Sequence, residues 1–180
     1  MRIISGKYGG RRIHPPTNMP YTRPTTDIAK EGLFNILHTR VSIEDANTLD
    51  LFGGTGCISY ELASRGASNL TIVEKDGAMA DFIKKNVELL KIEHVQLLRM
   101  DVFQFLNTCS NQYDVIFAGP PYALNTIDDL PKIIVQRKLI APEGYFVLEH
   151  TPRNNYEKFE GFKFARNYGS TIFSFYQCED

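Results

Sequence analysis

The stretch from Thr48 to Gly56, Thr-Leu-Asp-Leu-Phe-Gly-Gly-Thr-Gly, constrains this chain more than any other part of it. Leu49, Leu51 and Phe52 are the apolar run of a short buried strand, and Gly53, Gly54 and Gly56 crowd in behind them. Glycine has no Cβ and tolerates positive φ, so the backbone can turn sharply there and lie against a ligand. Residues 57–65 then read as a helix, with Ile58 and Leu62 one turn apart and Gly66 as its C-terminal stop. Strand, glycine turn and helix make the first unit of a doubly wound α/β fold, in which ligands sit beyond the carboxyl end of the strand. Twenty residues after Gly54, Glu74 ends a second apolar strand (Leu70, Ile72, Val73), where an acid can accept the hydroxyls of a ribose.

A nucleoside-containing cofactor follows, and the glycine pattern narrows which one. Ser59 stands where a dinucleotide fingerprint has its third glycine, so the motif is incomplete for NAD. Asp50 lies beside the turn, and its charge would repel a pyrophosphate. S-adenosylmethionine instead carries a sulfonium and an ammonium that an acid attracts. S-adenosylmethionine is therefore the expected cofactor.

From here the chain alternates regularly: strand 70–74, helix 77–91, strand 95–99, a short helix from Asp101, strand 114–118, helix 126–138 and strand 145–149. Phe162–Tyr168 and Thr171–Gln177, joined by Gly169-Ser170, read as an antiparallel hairpin at one sheet edge. Ahead of the core, residues 24–38 read as a helix capped by Thr25 or Thr26, with Ile28, Leu33, Ile36 and Leu37 as its apolar stripe. The expected fold is α/β, of the class I methyltransferase kind: a Rossmann-like, mainly parallel seven-stranded sheet ending in that hairpin. Residues 1–22 form a separate arm and linker, read as a β-hairpin followed by prolines, and residues 23–180 form the main domain.

The arm is where charge matters. Arg2, Lys7, Arg11, Arg12 and Arg23 lie within residues 1–26 without one acid, so this segment carries +5 in a chain of net charge −1. A basic arm on an acidic domain is an electrostatic footprint for phosphates. Cys57, Cys109 and Cys178 have no paired spacing, and His14, His38, His94 and His150 have no ligand spacing. Neither disulfide nor metal is expected. No run of about 18 apolar residues exists to span a membrane, so a cytoplasmic protein is expected.

A second cluster carries the chemistry. The strand 115–118 runs into Gly119-Pro120-Pro121-Tyr122. Two prolines remove two donors, so carbonyls face a ligand there, and Tyr122 adds a flat ring. Acceptors beside an aromatic plate suit a planar base with an exocyclic amine. The segments Arg2–Arg12, Arg23-Pro24-Thr25-Thr26-Asp27, Leu33-Phe34-Asn35-Ile36-Leu37, Asp50–Gly56, Val73-Glu74-Lys75-Asp76 and Tyr168-Gly169-Ser170-Thr171 complete the pattern. In that order they resemble the bacterial 16S rRNA (guanine-N2) methyltransferases, over essentially the whole chain.

The resemblance implies methyl transfer from S-adenosylmethionine to a guanine amine of 16S rRNA in the 30S subunit. It places Asp50, Gly53, Gly54 and Gly56 around the methionine end of the cofactor and Glu74 on the ribose. Asp101 and Val102 fall at the adenine edge, and Arg23, Thr25 and Lys75 are also expected to touch the cofactor. Gly119, Pro120, Pro121 and Tyr122 form the catalytic turn, and Arg2, Lys7, Arg11 and Arg12 meet RNA. The chain departs from the pattern at Gly119, where the family has an acid or amide that accepts one amine N–H. Three other readings remain: a catalytically weak ribosome-assembly factor, an adenine-N6 DNA methyltransferase without a recognition domain, and an NAD-dependent oxidoreductase, which Ser59 and Asp50 disfavour.

Overall fold

Seven strands lie side by side in the order β3-β2-β1-β4-β5-β7-β6, in a computed structural model that describes residues 1–18 and 25–179. They are β1 (Asn47–Leu51), β2 (Asn69–Val73), β3 (Val95–Leu98), β4 (Tyr113–Ala118), β5 (Ile140–His150), β6 (Phe162–Tyr168) and β7 (Thr171–Tyr176). Strands β1 to β5 pair parallel, whereas β7 pairs antiparallel with both β5 and β6. The expected sheet is the one observed. Its order reverses between β1 and β4, and at such a switch point the loops leave in opposite directions and open a crevice at the carboxyl ends.

Five helices cover the two faces: α1 (Asp27–Arg40), α2 (Cys57–Ser64), α3 (Gly77–Leu90), α4 (Val102–Thr108) and α5 (Asp129–Gln136). Successive side chains of a strand point to opposite faces. Val115 and Phe117 of β4 accordingly join the core with α1 and α2, while Ile116 and Ala118 join the core with α4 and α5. A sheet buried on both sides explains why the strands read as continuous apolar runs.

Helix α1 departs from expectation. Thr26 caps it, accepting the Ala29 N–H at 3.2 Å. Its buried side is Ala29, Lys30, Leu33, Phe34 and Leu37, whereas Ile28 is 78% exposed. The helix turns its small residues to the sheet: a Cβ on Gly32 would stand 2.3 Å from the Tyr168 ring of β6. Close approach of helix and hairpin selects that face, and Ile28 falls outside it. Helix α5 is also shorter than 126–138, because the Asp129 N–H bonds Thr126 O in a preceding turn. In α4, Val102, Phe105 and Leu106 are buried, and Phe103 is half-buried at the cleft.

The arm is not a full β-hairpin. It makes one antiparallel bridge, Arg2 with Arg12. The reason is that α2 takes its backbone groups. Glu61 accepts the Ile4 and Ser5 N–H groups at 2.8 and 3.1 Å, and Ser64 accepts those of Lys7 and Tyr8 at 2.8 and 2.9 Å. Ile3, Tyr8 and Ile13 pack with Tyr60 and Leu90. Glu61 is itself fully buried and pairs with Lys30 at 3.4 Å and Arg65 at 2.9 Å. Residues 19–24, which include Arg23 and most of the expected linker, lie outside the described residues.

Candidate active site

The crevice at the switch point is a cleft of about 990 Å³. Strand β1 enters it through Asp50 and the glycine turn, β2 through Glu74, β4 through Gly119 to Tyr122 and β5 through Glu149. Thr25, Gly53, Gly54, Lys75, Asp101 and Val102 also line it, so the expected cofactor residues on described positions converge, with one exception. Gly56 does not line the cleft. Its φ is +83° and a Cβ there would stand 2.5 Å from Tyr60, so Gly56 shapes the turn and seats Tyr60.

The turn itself is built for backbone approach. Phe52 and Gly54 both have positive φ, at 60° and 59°, and the Gly56 N–H closes on Gly53 O at 2.8 Å. A non-glycine residue in the left-handed region is strained and persists only where its surroundings over-determine it. Here they do: Glu74 accepts the Gly54 N–H at 2.8 Å through one oxygen and the Asp76 N–H at 2.8 Å through the other. The same carboxylate therefore braces two loops and faces the cleft. Thr55 in this turn also reaches Met1 Sδ at 3.7 Å, which ties the base of the arm to the glycine turn.

Asp50 is 2% exposed, and burial pushes its carboxyl up to about 7 from an ordinary 3.8. Ser59 opposes this by donating its hydroxyl to Oδ2 at 2.7 Å, while the charges of Glu74 and Glu149 raise it further. In the sequence Ser59 stands only as a missing glycine; its chemical part is to hold Asp50. Asp50, Glu74, Asp76, Asp101 and Glu149 line the cleft against Lys75 and Arg99, so acids outnumber cations there, a condition that a sulfonium and an ammonium relieve. The residues present fit S-adenosylmethionine.

On the other wall, Pro120 is buried and Tyr122 half-exposed. The Pro121 carbonyl closes a turn by accepting the Leu124 N–H at 2.9 Å, which occupies one of its lone pairs. Tyr122, Ala123 and Leu124 also border a second hollow of about 810 Å³, lined by Asn125, Thr151 and Asn154 among others. Tyr122 thus stands between the cleft and a second hollow.

Sequence reading missed Glu149 and Arg99, both of which line the cleft. Glu149 had a legible signal, an acid ending the apolar run of residues 145–148, the same signal that marks Glu74. Cys57 is buried, and desolvation pushes its thiol up to about 11, so it is a packing residue. His150 also packs, bonded to Ser174 Oγ at 2.7 Å with its pKa lowered by burial. Arg2, Lys7, Arg11 and Arg12 are all exposed on the arm, away from the cleft lining. Among the described residues, no group of three or more acids, histidines or cysteines could hold a metal, and no helix is long and apolar enough to cross a membrane.

Comparison with known proteins agrees with this geometry. The family described as conserved hypothetical protein 95 matches residues 1–177. Ribosomal RNA small subunit methyltransferase D of Escherichia coli K12 is 30% identical over 154 residues, 86% of this chain and 76% of its own. A hypothetical protein from Thermus thermophilus has the same fold with a TM-score of 0.86 and 26% identity, over 98% of this chain and 99% of its own. The T. thermophilus 16S rRNA N2 G1207 methyltransferase, solved with AdoMet and guanosine, superposes with a TM-score of 0.70 at 25% identity. That likeness covers 86% of this chain and 44% of the larger enzyme.

Proposed function

This chain belongs to the conserved hypothetical protein 95 family, and from that premise we propose that it methylates the exocyclic N2 amine of a guanine in 16S rRNA, using S-adenosylmethionine. The observation that carries the reading is the single cleft in which Asp50, the glycine turn and Glu74 face the Gly119–Tyr122 turn. Cofactor pocket and amine-recognition turn open into one space, as direct transfer between two ligands requires.

S-adenosylmethionine, when bound, supplies an electrophilic methyl group on a positively charged sulfur. The residues of the chain do the rest. Gly53 and Gly54 let the backbone approach the methionine end, and Asp50, fixed by Ser59, attracts its positive charge. Glu74, held by the Gly54 and Asp76 N–H groups, is already oriented to accept ribose hydroxyls. Asp101, which caps α4 through the Phe103 and Gln104 N–H groups at 2.9 and 3.1 Å, and buried Val102 meet the adenine edge in this reading. Tyr122 stacks the target base, and the Pro120 carbonyl accepts one of its amine protons. A guanine amine is a weak nucleophile because its lone pair is delocalised into the ring. Acceptors on both N–H groups draw that lone pair out and aim it, which is a positioning effect. The exposed cations of the arm hold rRNA phosphates.

The test is transfer of tritiated methyl to naked 16S rRNA, isolated 30S subunits and duplex DNA in parallel, followed by nucleoside analysis. N2-methylguanosine from either ribosomal substrate is expected. Label confined to N6-methyladenosine in DNA would overturn the substrate assignment, and cofactor binding without transfer would leave an assembly factor.

A further inference from the structure

The acid that position 119 lacks is present in the cleft, delivered by the neighbouring strand. Ala118 of β4 pairs in parallel register with Leu148 of β5, so Gly119, the first residue past β4, lies beside Glu149, which is still within β5 at the carboxyl edge of the sheet. A Cβ built on Gly119 would stand 3.1 Å from Glu149 Oε2 and 3.1 Å from the Phe117 ring. That is tight contact, and a side chain at 119 requires the Glu149 carboxylate to give by a few tenths of an ångström. Gly119 is not among the glycines with positive φ, so its backbone does not demand glycine. What crowds a side chain there is the Glu149 carboxylate together with the Phe117 ring.

We propose that Glu149 is the acceptor for one N–H of the target amine, in the role the resemblance assigns to the residue before Pro-Pro-Tyr. This rests on the methyl-transfer reading above. Glu149 is only 7% exposed yet lines the cleft, and Thr25 aims it by donating Oγ1–H to Oε2 at 3.0 Å. A carboxylate has about four lone-pair sites on its two oxygens, and the bond from Thr25 uses one of them. With the Pro120 carbonyl on the second N–H, both amine hydrogens are held. As the nitrogen lone pair forms the N–C bond, the electrons of the broken C–S bond stay on sulfur. The proton that nitrogen then sheds passes to Glu149 and on to water. Thr25 is a positioning residue, since it acts through Glu149.

Five proteins test this: parent, Glu149→Ala, Thr25→Val, Gly119→Asp and the double variant Gly119→Asp/Glu149→Ala. Each is measured by single-turnover methylation of the substrate accepted by the parent and by calorimetric binding of S-adenosylhomocysteine. Loss of one preorganised hydrogen-bonding group slows Glu149→Ala by about a hundredfold, with product affinity retained within about twofold. Gly119→Asp alone is slowed, because its carboxylate crowds Glu149. The double variant recovers about tenfold over Glu149→Ala, the non-additivity expected of two groups serving one place. Thr25→Val loses only a few-fold. Parent-like transfer by Glu149→Ala, or a loss in Thr25→Val as deep as in Glu149→Ala, overturns the proposal and leaves the enzyme reading intact. So does a double variant that binds the product but recovers nothing. A parent that binds the product yet methylates no nucleic acid overturns the enzyme reading itself.

Discussion

Cofactor affinity should depend on pH through Asp50, and the structure sets the size of the effect. Its carboxyl lies at about 7 in the folded protein against an ordinary 3.8, chiefly because it is buried. That difference corresponds to about 4 kcal/mol against the ionised form. A cationic ligand favours the ionised form, so binding expels the proton wherever Asp50 holds one. If ionised Asp50 is required, affinity at pH 6 falls about tenfold below its plateau and half a proton is released near pH 7. The ligand's own α-ammonium stays mostly charged below about pH 7.5, so the acidic limb reports Asp50. Calorimetry with S-adenosylmethionine from about pH 5.5 to 7.5, in buffers of different ionisation enthalpy, measures both affinity and proton release. Asp50→Asn removes the limb and binds more weakly at neutral pH. Ser59→Ala moves the limb to higher pH, because the Ser59 hydroxyl is what lowers the Asp50 pKa. A parent whose affinity is flat from pH 5.5 to 7.5 would refute the reasoning. Stability without ligand runs the other way. The folded protein holds this proton where the unfolded chain has lost it, so the Asp50 contribution is full below about 3.8 and is lost as pH rises through about 7.

Three further outcomes follow from the contacts. Glu74→Ala should weaken S-adenosylmethionine binding by about 1–3 kcal/mol and also lower the melting temperature, because two backbone N–H groups lose their acceptor. Unchanged affinity by calorimetry removes Glu74 from the site. Replacing Arg11 and Arg12 with Ala should weaken rRNA binding and flatten its salt dependence while cofactor affinity holds, and equal salt slopes assign the arm a structural part only. Glu61→Ala strands the buried Lys30 and frees the arm, so denaturant unfolding should show a loss of about 3–5 kcal/mol and limited proteolysis should cut within residues 1–18. An arm as protected as in the parent would refute the clamp.

The alternation of strands and helices, the glycine turn at 53–56 and the cleft-lining acid at 74 were legible in the amino-acid sequence because each follows a local rule. Periodicity of two or 3.6 marks an element, glycine marks a turn, and a fixed spacing joins turn to acid. The resemblance, which runs over nearly the whole chain, added the substrate expected, a guanine amine of 16S rRNA. What only the tertiary structure decided is how distant residues meet. Ile28 faces solvent because Gly32 and Tyr168, more than a hundred residues apart, set the rotation of α1. The two runs of the arm pair antiparallel only at its base, around the Arg2–Arg12 bridge, because Glu61 and Ser64 of α2 take the N–H groups of Ile4, Ser5, Lys7 and Tyr8. Ser59 stopped being a missing glycine once the first turn of α2 carried it to Asp50. Glu149 fills the place beside Gly119 because β4 and β5 align residues thirty apart in parallel register. A linear motif can show that an acceptor is missing from its own segment. Strand register decides whether a neighbour supplies it, and register is set by the packing of the whole sheet.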